Sequence, residues 1–81
     1  MRIKVFVTPR RGILDPQGRA VEAALAHLGF AGVSDVHLGR YIVLALDAPS
    51  KAAAEETVRK MCEQLFANPT IEDYRFEVEA G

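Results

Sequence analysis

Few side chains in these 81 residues could act on another molecule, and their spacing decides what each could do. His27 and His37 are the groups that titrate near neutrality, but neither has a sequence neighbour that would make a triad or a metal pair. They are expected on a helix surface and on the polar side of a strand. Cys62, between Met61 and Glu63, falls beside the apolar stripe of a helix and is expected to be a small buried hydrophobe. Glu72, Asp73, Glu77 and Glu79 cluster near the C-terminus and are expected on the solvated side of an edge strand. A metal carrier would want a Cys-x-x-Cys pair in its first loop, yet that loop reads Thr8-Pro9-Arg10-Arg11-Gly12. An RNA-recognition sheet would need several stacking aromatics, and Phe6 and Tyr41 are the only candidates. What rises above background is Arg10-Arg11-Gly12, a cationic turn suited to an anion or a partner's carboxylates, just ahead of a helix start at Asp15-Pro16. The Asp15 charge already occupies the positive end of that helix.

The composition points the same way. Ten Lys+Arg against eleven Asp+Glu leave a net charge of −1, with no basic excess for a phosphate backbone or an anionic membrane. Nucleic acid and membrane are therefore excluded as expected partners. One cysteine allows no internal disulfide, and 81 residues lie near the lower limit for a self-sufficient core, so burial through oligomerisation is expected. The N-terminal Met1-Arg2-Ile3-Lys4-Val5 alternates where a signal peptide would be continuously apolar, and no run approaches about 18 apolar residues. The expected location is cytoplasmic.

The elements that must position these residues follow from period and punctuation. Ile3, Val5 and Val7 share one face of a first strand, opposite Arg2, Lys4, Phe6 and Thr8. Asp15 as cap and Pro16 in the first turn open a short amphipathic helix carrying Val21, Ala24, Leu25 and Leu28, and Gly29 ends it. Residues 33–46 admit two readings: a two-residue hairpin at Gly39-Arg40, or one long strand bent at Gly39. Val36, Leu38, Ile42, Leu44 and Leu46 share one parity, which favours the long strand. Such a strand would span roughly 45–50 Å, too long for one small domain, and needs a second subunit to cover it. Ser50 caps a second helix with Ala54, Val58, Met61 and Leu65 on its inner stripe, and Asn68-Pro69 stops it. On its wet face Glu55–Arg59 and Glu56–Lys60 have the favourable i,i+4 order. Tyr74, Phe76 and Val78 then line one face of a last strand. The order β-α-β(β)-α-β is that of one ferredoxin-like or related α+β domain over residues 1–81, a two-layer sandwich of antiparallel sheet and two helices. By itself that order does not choose a function.

The wording of the chain is more specific than its periodicity. Val7-Thr8-Pro9-Arg10-Arg11-Gly12-Ile13-Leu14-Asp15-Pro16-Gln17-Gly18-Arg19-Ala20, the Leu28-Gly29 pair, Gly39-Arg40, and the run from Met61 through Ala67-Asn68-Pro69-Thr70-Ile71-Glu72-Asp73-Tyr74 follow one another in order. Together they resemble the PurS subunit of phosphoribosylformylglycinamidine (FGAM) synthase over essentially the whole chain, with Arg10 and Arg40 where lysine is frequent. The resemblance implies a non-catalytic subunit of a three-protein ligase of purine biosynthesis, joining an ATP-dependent synthetase (PurL) to a glutaminase (PurQ). It implies a PurS homodimer or higher oligomer. It also implies that ATP, Mg²⁺ and glutamine belong to the other subunits, with no cofactor or metal on this one. The expected partner-facing residues are Arg10, Arg11, Asp15, Gln17 and Arg19, then Asn68 and Glu72; Asp15 and Asn68 are equally expected as local caps. A small-molecule-sensing regulatory dimer shares this order of elements and stands as the alternative.

Overall fold

In the computed structural model, which describes residues 1–10 and 15–79, the alternating segments pair into a three-stranded antiparallel sheet. The chain runs β1 (Arg2–Pro9), α1 (Pro16–His27), β2 (Arg40–Ala45), α2 (Lys51–Met61) with a π-helical continuation (Cys62–Phe66), and β3 (Glu72–Glu79). β1 lies in the centre, with Val5 opposite Ile42 on β2 and Phe76 on β3. This register puts Ile3, Val5 and Val7 on the face that α2 covers through Ala54, Val58 and Cys62, and all six are fully buried. Burial pushes the Cys62 thiol up, with the Glu63 charge adding to it, so the cysteine is the small core residue its position implies. On the opposite face Phe6 packs on Tyr41 at 5.0 Å between ring centroids and under the Arg75 guanidinium at 3.9 Å, while Lys4 pairs with Glu79 at 2.7 Å.

Both helix starts form as their sequences dictate. Asp15 accepts the Gly18 N–H at 3.0 Å with Pro16 next in line, and the Ser50 hydroxyl accepts the Ala53 N–H at 3.1 Å. Gly29, at φ +93°, takes the left-handed conformation after α1, and the second helix ends before Asn68. Arg59 pairs with Glu56 at i,i+3 and 3.1 Å rather than with Glu55.

Two expectations are corrected. First, the helix layer is α2 alone: α1 does not pack against the sheet, and the molecule extends 50 × 27 × 15 Å. Its radius of gyration is 16.0 Å, against about 12 Å for a compact chain of this length. Second, neither the hairpin nor the continuous strand forms over residues 33–46. The strand begins at Arg40, and residues 33–39 form an arm that runs beside α1 outside the sheet. Asp35 breaks the extended line at φ +57°. The arm's N–H groups turn to α1 instead, Val36 to Glu22 at 3.4 Å and Leu38 to Asp15 at 2.9 Å. Gly39 does sit at the break, but for close approach: a Cβ there would lie 2.1 Å from the Val7 carbonyl oxygen. His37 accordingly lies on this arm and not on a strand.

Candidate functional site

Where the arm enters the sheet, the first turn of α1 and the loop before β3 converge around an open cleft of about 180 Å³. Asp15, Gln17, Leu38, Arg40, Ile71 and Glu72 contribute to its walls. The fold thus joins two sequence segments that are more than fifty residues apart.

Asp15 is the anchor on one side. Its Oδ1 caps α1 and its Oδ2 takes the Leu38 N–H, and these two backbone donors, Gly18 first, hold its carboxyl below the usual carboxylate range. The His37 ring stands 3.6 Å from Asp15 and hydrogen-bonds Asp35 at 2.9 Å. Gly18 lets the helix close on the arm, since a Cβ there would fall 2.0 Å from the Val36 carbonyl oxygen.

Glu72 is the anchor on the other side. Its Oε1 accepts the Asn68 N–H at 2.8 Å and Arg40 Nη2 at 2.8 Å, so its pKa is also lowered, the Asn68 N–H being the larger cause. The same Arg40 Nη2 donates to the Phe66 carbonyl at 2.7 Å, at a helix end whose last carbonyls have no helical donor. Asn68 closes its own turn by accepting the Thr70 N–H on Oδ1 at 3.1 Å.

The predicted residues therefore divide. Asp15, Gln17 and Glu72 share the cleft. Arg10 stands beside it, its N–H on the Ile71 carbonyl at 2.9 Å and its guanidinium 3.3 Å from Asp73. Arg19 is exposed on α1, Asn68 is a turn residue, and Arg11 lies outside the described residues. Sequence reasoning missed Arg40 and His37 as members of the site. Their partners are brought in by tertiary folding, 26 and 32 residues away for Arg40, and no local spacing signals them. Asp15 and Glu72 are both ionised and already hold internal donors. The arrangement can therefore fix α1, the arm and the β3 loop relative to one another and present Gln17 and the rest of the Arg40 guanidinium outward. Among the described residues no three His, Cys, Asp or Glu side chains converge as a metal-ligand set, and no helix is long and apolar enough to cross a membrane.

An antiparallel sheet covered by one helix, with a second helix and an arm extended from it and a cleft whose charged groups are internally paired, defines a small α+β domain. The PurS family model, phosphoribosylformylglycinamidine (FGAM) synthase, matches residues 2–80. A PurS subunit of that synthase from Synechocystis sp. is 48% identical over 77 residues, covering 95% of this chain and 77% of that protein. The structure of Bacillus subtilis PurS superimposes with a TM-score of 0.88 at 43% identity, over 98% of both chains. A chain of the Thermotoga maritima PurLQS structure gives 0.84 at 33% identity, covering 94% of this chain and 93% of that one. The chain belongs to the PurS family and is a subunit of FGAM synthase, a ligase.

Proposed function

We propose that the chain is the non-catalytic assembly subunit of the synthase, holding the PurL synthetase and the PurQ glutaminase so that ammonia released at one active site reaches the other. The observation that carries this reading is the likeness to a chain of a solved PurLQS complex. Docking two active sites replaces a bimolecular encounter by an internal transfer, and a sheltered route keeps ammonia from protonation by bulk water. ATP, Mg²⁺ and glutamine are then handled by the larger subunits, and the setting is cytoplasmic. The partner-facing surface is the cleft and its rim, with Arg10, Gln17 and Arg19, while Asp15, Asn68 and Glu72 hold its shape; Arg11, outside the described residues, is a candidate on the sequence alone.

The working unit is a homodimer. Its support is the exposed apolar surface carried by the extended part of the chain: Leu28 is 73% and Phe30 58% exposed. A 12-residue helix without tertiary packing is marginal in water, so α1 needs apolar surface that its own sheet does not supply.

Gel filtration of the three proteins tests the assembly. All three are expected to co-elute, with the glutaminase running free when this chain is omitted. Co-elution of synthetase and glutaminase without it would remove the assembly role.

A further inference from the structure

β3 ends the sheet on the side away from β2, and half of its backbone groups have no partner there. Arg10 donates its N–H to the Ile71 carbonyl at 2.9 Å, and the register continues from that pair with Pro9 opposite Glu72 and Thr8 opposite Asp73. The alternation of an antiparallel ladder then gives the odd-numbered residues of β3 to β1. Tyr74, Phe76 and Val78 therefore turn their N–H and C=O groups outward, and no strand lies beyond them among the described residues. Their side chains pack on the core face but stay half-buried, so the core is incompletely covered along this edge. From Asp73 to Glu79 the strand has no proline, no bulge and no charge on its core face, three of the devices that keep an edge from pairing.

We infer that this edge receives an extended segment of one of the larger subunits, added as an outer strand of the sheet. This rests on the assembly reading above and names the contact. Two features of β3 state the chemistry of the segment. Beside Tyr74, Phe76 and Val78 its inward side chains are apolar, completing the cover that α2 begins. On the other face β3 exposes Asp73, Glu77 and Glu79 against Arg75, so the side chains that alternate with the apolar ones are basic. β1 already flanks the same row from inside with Arg2 and Lys4, opposite Glu79 and Glu77. The edge also begins at the proposed partner surface, because Glu72, the first residue of β3, stands in the cleft wall. A subunit seated on the cleft is thus placed to run a segment along β3, and main-chain pairing fixes its direction and register.

Hydrogen exchange of the full chain, alone and with the purified synthetase or glutaminase, tests it by mass spectrometry on peptides covering residues 72–79. In the free chain the amides of Tyr74, Phe76 and Val78 are expected to exchange fast, while those of Arg75 and Glu77, bonded to β1, exchange slowly. With one of the two subunits bound, the three fast amides are expected to slow by about ten-fold or more. Glu77→Lys, at an exposed position, is expected to weaken that association roughly 2–5-fold, and equal or tighter binding would count against a basic segment. A subunit that binds while the three amides stay fast would overturn the edge pairing and leave the assembly reading standing. Binding of neither subunit would overturn both. Slow exchange of the three amides already in the free chain, increasing with its concentration, would give the edge to a second copy and overturn the inference.

Discussion

Asp15 Oδ2 accepts the Leu38 N–H at 2.9 Å, fastening the first turn of α1 to the arm that leads into β2, 23 residues further along the chain. The carboxylate is thus a helix cap and a tertiary tie at once. Asp15→Ala is expected to remove both while leaving the sheet and α2 folded. Circular dichroism should lose up to the share of helical signal that the 12 residues of α1 supply, with near-ultraviolet aromatic signal retained. An unchanged helical signal would show that α1 is held by something else.

Asp15 and Glu72 also fix how stability responds to acid. Both have pKa values lowered in the folded state, chiefly by backbone N–H donors. Unfolded carboxylates titrate near pH 4, so this contribution is fully present above about pH 5. It is lost as pH falls through the lower folded values. Thermal midpoints recorded from pH 7 to pH 3 should fall for the unsubstituted protein. They should fall less steeply for Asp15→Asn and Glu72→Gln, which start lower.

Gly18 offers a reversal of sign. Glycine to alanine within a helix ordinarily stabilises by about 1 kcal/mol. Here the new Cβ would meet the Val36 carbonyl oxygen at 2.0 Å, and at Gly39 it would meet that of Val7 at 2.1 Å. Gly18→Ala and Gly39→Ala are each expected to destabilise by about 2–3 kcal/mol in urea titrations, as overpacked sites do. A stabilised Gly18→Ala would mean that the helix does not close on the arm.

How far the sequence was legible depends on how local each cause is. The strand faces, the caps Asp15 and Ser50, the Gly29 stop and the buried Cys62 each follow from residues within a turn or two of one another, and all form as expected. Asn68 and Glu72 were legible as candidates, but the structure engages them internally, Asn68 in closing its own turn and Glu72 in holding Arg40. Residues 33–46 were misread because parity reports which face a residue prefers and not whether a neighbouring strand is present. The break at Asp35 and the diversion of two N–H groups to Glu22 and Asp15 carry no local signature. Arg40 was invisible for the same reason, since Phe66 and Glu72 become its neighbours only after folding.

Arg40 can be tested directly. Its side chain is 54% exposed, so solvent weakens the ion pair, and Arg40→Ala is expected to cost only about 0.5–1 kcal/mol. Arg40→Lys, which replaces the planar fork with a point charge, should recover part of that. Urea titration of the two variants checks both the size and the order of the effects.

Cys62 reports on the core. Buried between α2 and the sheet with its thiol pKa raised, it should react with a disulfide reagent only when the helix lifts away. Val58→Ala, which removes buried methyl groups from the same cluster, should speed that reaction at least several-fold. Fast reaction in the unsubstituted protein would contradict the packing.

The proposed role has this chain join two active sites while the chemistry runs on the larger subunits. FGAM formation by the purified synthetase and glutaminase subunits, measured with and without this chain, tests it most directly. With glutamine as nitrogen source the product is expected to require the chain, while with added ammonium the synthetase is expected to work in its absence. Glutamine-dependent synthesis that proceeds equally well without the chain, or ammonium-dependent synthesis that stops without it, would contradict the account.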